Sequence, residues 1–184
     1  MNELEFLRTQ IRLERQHMVE VRKNLEVALA RPVPQMQRDA IERFCTAAAR
    51  YLVFIVKRFN AQDQIHCQQL RPNIAGGDHD NEDALAALEC LLARSRVAIA
   101  SLQAALPGPG AADAQTSGMA LRHACAEYLQ FYRDEMLQRN STLTALFERH
   151  YGTTEWRSAS LLDADAVLQE RQLYAAVQAA AISA

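Results

Sequence analysis

The sequence predicts an all-α protein: an antiparallel up-down-up-down four-helix bundle with one additional C-terminal helix. Three observations carry this. Apolar residues recur at alternating steps of three and four along four long stretches, the period of a helix that buries one face. No stretch alternates apolar and polar residues over the length of a strand, so no sheet is expected. Five prolines and six glycines are concentrated between the periodic stretches, where they end helices and form loops.

The first stretch, about 3–30, carries Leu4, Leu7, Ile11, Met18, Val21, Leu25 and Ala28, with Glu14 in the one missing seam position. Pro32 and Pro34 end it. The second, about 36–70, gives Ile41, Phe44, Ala48, Tyr51, Ile55 and Phe59, and Gln62 and His66 continue the line. Pro72, Gly76 and Gly77 come next, then an acidic run to Asp83. The third, about 82–105, gives Leu85, Leu88, Leu92, Ser95, Ile99 and Leu102, with Asp80 or Asn81 as the expected N-cap. After the break at Pro107–Gly110 comes the fourth, about 117–150, with Leu121, Cys125, Tyr128, Tyr132, Glu135, Arg139, Leu143 and Leu146. The tail from Ser160 holds Leu161, Leu162, Val167, Leu168, Leu173, Tyr174 and Val177 and reads as a shorter helix docked outside the bundle. Tyr51–Val56 is apolar all round, so a second layer must cover its outer side, either this tail or a second copy in a homodimer.

A chain of 184 residues suits one domain, which at this size buries roughly 70% of its unfolded surface. We expect a single domain over 1–184, with the bundle core over 3–150 and the helical tail over 160–184. A net charge of −2 argues against a nucleic-acid binder, which needs an excess of cations over phosphates. The densest apolar run is six residues, Tyr51 to Val56, against the ~20 that span a bilayer. The opening Met-Asn-Glu-Leu-Glu-Phe is acidic, unlike a signal peptide. Cys45, Cys67, Cys90 and Cys125 form no C-x-x-C, so the expectation is a cytoplasmic protein with reduced, mostly buried thiols.

Each seam is broken by polar residues at one level, and a buried polar group without a partner costs ~1–3 kcal/mol. The set is Glu14, His17, Gln62, His66, Ser95, Glu135 and Arg139. Glu135 and Arg139 stand four apart, as do Gln62 and His66, the spacing for direct intrahelical pairing. The residues either satisfy one another in a polar core layer or line a ligand pocket between helices. His79, His123 and His150 fall away from this level and are expected in solvent. No nucleophile–base pair, G-x-S-x-G or phosphate-cradling glycine loop is present, so no enzyme is expected.

The stretch Tyr128-Leu129-Gln130-Phe131-Tyr132-Arg133-Asp134-Glu135-Met136, followed by Leu146 and Thr154-Glu155-Trp156, resembles the bacterial hemerythrin-like proteins, the HHE cation-binding family. Tyr51-Leu52-Val53 with Arg58-Phe59, Gln16-His17, Ser95 and the tail Glu170-Arg171-Gln172-Leu173-Tyr174 extend the resemblance over nearly the whole chain. It implies a four-helix bundle around two irons held by histidines and carboxylates.

Carried over by position, His17 keeps its ligand type. Asn60-Ala61 stands in place of the paired histidines and Gln64-Ile65 in place of an acidic pair; a shifted alignment puts Gln62 and His66 on the motif instead. Ser95 and Glu135 replace histidines, and Arg139-Asn140 an acidic pair. Amides are poor iron ligands and Arg139 is a fixed cation, so the resemblance implies a dismantled site with Arg139 filling the metal's volume. The expectation is a non-enzymatic binding or regulatory module with no cofactor, recognising a partner protein or a small molecule. The alternative is a metal- or oxygen-handling protein that holds iron or another divalent metal on Glu14, His17, His66 and Glu135.

Overall fold

The structure, a computed structural model, describes residues 3–30, 37–74, 79–108, 114–136, 154–155, 158 and 160–182. Regular structure among them is entirely helical: α1 (Glu3–Ala30), α2 (Arg38–Leu70), α3 (His79–Ala104), α4 (Ala114–Phe131) and α5 (Ala164–Ile182). A 3₁₀ turn, Arg71–Asn73, succeeds α2, and a π-helical turn, Tyr132–Met136, continues α4. Among the described residues no helix is long and apolar enough to cross a membrane. The breaks at Pro32–Pro34 and Gly76–Gly77, and Arg139, Asn140, Leu143, Leu146, His150 and Trp156, lie outside the described residues.

Where the seams are described, most of their positions are buried, with Met18, Ala28, Phe59, Tyr132 and Glu135 half-buried. All six positions assigned to α3, Leu85, Leu88, Leu92, Ser95, Ile99 and Leu102, are its buried residues. In α2 the seam stays buried through Gln62 and His66 after the apolar residues stop. α3 starts at His79, so Asp80 and Asn81 sit inside its first turn and neither is the N-cap. There Asp80 and Glu82 complement the positive end of the helix dipole.

α2 packs against α1, α3, α4 and α5, which is why its apolar girth exceeds one stripe. The main core gathers Val21 and Leu25 of α1, Tyr51, Leu52, Ile55 and Val56 of α2, Ile99 and Leu102 of α3, and Leu121, Cys125 and Tyr128 of α4. A smaller cluster, Cys67, Leu70, Leu85, Leu88 and Leu92, closes the far end of the α2–α3 pair. The outer side of Tyr51–Val56 is covered by α5, whose Val177, Leu173 and Tyr174 pack into the main core.

Two local features set the entry to α5. Leu161 has a positive φ of 48°, and the Asp163 carboxylate accepts the Ala166 backbone N–H at 2.7 Å, capping the first turn.

Candidate functional site

The polar residues of the seams meet as separate pairs rather than as one layer. On α2 alone they run from Tyr51 to His66, and fifteen residues of helix rise about 22 Å, too far for a single level. α1 contributes Glu14, fully buried, whose carboxylate takes the Gln10 amide at 3.1 Å from one turn earlier and the Arg58 guanidinium from α2. Arg58 is the cation seen on a buried carboxylate here. Its guanidinium also lies 5.4 Å from the Phe59 ring centroid, and its Nε and Nη1 have no hydrogen-bond partner.

One turn along α1, His17 meets a different partner. Its Nδ1 stands 2.9 Å from Glu170 Oε1 of α5, and its ring stacks on Tyr174 with centroids 3.7 Å apart and planes 7° from parallel. Residues three apart on a helix differ by about 60° in direction, so Glu14 points to α2 while His17 meets α5. Tyr51 donates to the same Glu170 oxygen at 3.0 Å. Burial, then the Glu170 carboxylate, pushes the Tyr51 phenol far above its ordinary range.

Asn60 and Ser95 bridge α2 and α3 with two reciprocal hydrogen bonds, 2.9 Å from the amide Nδ2 to Oγ and 3.2 Å from Oγ to Oδ1. Gln62 and His66 pair within α2 at 3.4 Å, as their spacing predicts.

Glu135 lies beyond the α-helical part of α4. It sits in the π-helical turn, half-buried, and pairs with Arg94 of α3. A π turn takes an extra residue per cycle and rotates the later residues off the α seam, which the regular spacing of Tyr128, Tyr132 and Glu135 conceals. The expected partner, Arg139, lies outside the described residues. His79 and His123 are exposed, each beside a glutamate on its own helix.

The six predicted site residues that are described are therefore not brought together; the seventh, Arg139, lies outside the described residues. Glu14, His17, Ser95 and Glu135 each turn to a partner outside the set, and only Gln62 and His66 pair within it. Among the described residues no three His, Cys, Asp or Glu side chains form a group that could hold a metal ion. The residues sequence reasoning left out of the set are Arg58, Asn60, Tyr51 and Glu170. Arg58 and Asn60 carried a signal, since both interrupt apolar helix in α2. Glu170 carried none on a tail whose partner face was unknown.

A cavity of about 220 Å³ opens beside these pairs, where α1, α2, α3 and the end of α4 converge. Asn60, Ser95 and Asp63 form one wall, and Arg22 and Tyr128 form part of another. The Arg22 guanidinium carbon lies 3.4 Å from the centroid of the Tyr132 ring. No protein-family model, curated protein or solved structure matches the chain.

Proposed function

We propose that this chain is a hemerythrin-like up-down-up-down bundle that has lost its di-iron site and acts by binding a small molecule between its helices, without catalysis, in the cytoplasm. The observation that carries the reading is the Asn60–Ser95 pair. These residues occupy the positions at which the resemblance puts histidine ligands on the second and third helices, and they satisfy each other with two hydrogen bonds.

Neutral amide and hydroxyl groups turned to one another offer little to a dication. The buried carboxylate of α1, Glu14, already has a fixed cation in Arg58. The helix directions support the bundle: Lys57–Gln103, Asn60–Ser95 and Arg71–Glu89 run in opposite senses along α2 and α3. The cavity beside the pair favours a small ligand over a protein partner.

Metal analysis of the native protein purified without chelators tests the reading. Iron far below one atom per chain is expected. Two irons per chain with an oxygen-sensitive charge-transfer band would overturn it.

A further inference from the structure

The cavity wall holds two buried polar groups, neighbours of one another, that make no well-formed hydrogen bond within the protein. Arg22 is 6% exposed and Tyr128 2%, yet Arg22 Nη1 and the Tyr128 hydroxyl have no hydrogen-bond partner. Among the described residues no carboxylate lies within ion-pairing distance of Arg22. A guanidinium only donates. Burial pushes the Tyr128 phenol well above its ordinary range while Arg22 pulls the other way, so at neutral pH it is protonated and able to donate.

Buried charge without a counter-charge is among the costliest arrangements in a core. Two neighbouring buried donors, one of them cationic, match one acceptor type: a carboxylate, with one oxygen for each. Apart from Arg15 and the polar wall of Asn60, Ser95 and Asp63, the rest of the lining is apolar or aromatic, with Phe59, Val56 and Met18 at the cavity. Its 220 Å³ exceeds the roughly 150 Å³ that accommodates a benzene ring in a protein core.

Resting on the binding reading above, we infer that this cavity takes a small organic monocarboxylate with an apolar or aromatic body, its carboxylate on Arg22 and Tyr128. Phe131, Tyr132 and Met136, half-buried at the π-helical end of α4, line the same cavity and supply part of its apolar wall. The Arg22 charge is then neutralised by the ligand instead of by the protein.

Calorimetric titration of the full chain with benzoate and hexanoate, and with benzamide as the neutral control, tests this. At least one acid should bind with a Kd below ~10 mM, and benzamide at least ~10-fold more weakly than benzoate. Arg22→Met should abolish acid binding and raise the ligand-free Tm, because it removes an uncompensated buried charge. Tyr128→Phe, which keeps the packing, should weaken acid binding ~5- to 10-fold and serves if Arg22→Met does not fold. No binding of either acid, equal binding of benzoate and benzamide, or unchanged affinity in Tyr128→Phe would overturn the proposal. Iron content is measured on the same preparation. Two irons per chain would overturn the reading above whatever the titration gives, whereas an iron-free protein that ignores both acids removes this inference alone.

Discussion

Tyr51 of α2 and Glu170 of α5 are joined by a 3.0 Å hydrogen bond between two fully buried side chains, and His17 of α1 shares the same carboxylate oxygen. Three helices from distant parts of the chain are keyed together at one atom. Apolar packing of Leu173 and Val177 gives α5 its affinity for α2; the Glu170 contact gives it a register, because a slip of one residue would bury the carboxylate without a donor. Hydrogen bonds to charged groups contribute about 1.5–3 kcal/mol. Tyr51→Phe should therefore lose about 2 kcal/mol in urea unfolding at pH 7, with the slope unchanged.

Glu14 and Arg58 make a different kind of pair, held in place at the expense of stability. Arg58 leaves two nitrogens without partners, so its desolvation is only partly compensated. Arg58→Met strands the Glu14 carboxylate and should cost about 3–5 kcal/mol, while the double variant Glu14→Leu with Arg58→Met should recover most of it. A double-mutant cycle by thermal or urea unfolding reads the coupling.

Much of the fold was legible in the spacing. Burial follows the four-three pattern so closely in α3 that every seam residue is buried and no other residue is. In α2 the pattern extended correctly into the polar Gln62 and His66. The site was legible only as a set of interruptions. Spacing gives a residue's direction within its own helix, so it found Gln62–His66. It could not show that His17 meets Glu170, 153 positions away, or that Ser95 meets Asn60. It also assumes a constant 3.6-residue turn, and the π turn at Tyr132–Met136 breaks that assumption where Glu135 sits. There Glu135 pairs with Arg94 of α3, a contact that spacing along one helix cannot show.

Acid should loosen α5 from α1. Tyr174 and Gln178 donate to the two oxygens of Glu20, at 2.8 and 2.7 Å, and these bonds hold the Glu20 carboxyl below its ordinary range. A carboxyl whose folded value is depressed stabilises the fold above its unfolded value, near 4.3, and loses that contribution as pH falls through the folded value. Burial, then Glu20, holds the Tyr174 phenol above its ordinary range, so its contribution is present below about 10 and fades in alkali. Thermal melts should show a plateau between these limits. The Glu20→Gln variant should melt lower than the parent on the plateau, with the gap closing below about pH 4.

The turn into α5 stores strain that can be released. Leu161 holds a left-handed backbone, costly for a branched side chain, and its own side chain is exposed. Leu161→Gly should raise stability by up to about 1 kcal/mol. Asp163→Ala removes the cap on the Ala166 backbone and should lower it by about 1 kcal/mol. Opposite signs at neighbouring positions in the same unfolding assay would separate backbone strain from helix capping.

The thiols give a test of packing that needs no mutation. Cys45, Cys67 and Cys125 are buried and Cys90 is exposed, all four free. Burial pushes the Cys45 thiol up to about 11 and the Cys125 thiol to about 12. The thiolate is the form that attacks disulfide reagents, so a thiol titrating near 11 holds roughly one part in ten thousand thiolate at pH 7 even before access is considered. In the folded protein one thiol per chain should react quickly with Ellman's reagent, and all four in denaturant. The slow thiols should gain reactivity with urea in step with global unfolding. If Cys45 or Cys125 reacts well below the unfolding midpoint, the α2–α4 contact that buries both opens locally, and the core is less cooperative than its packing implies.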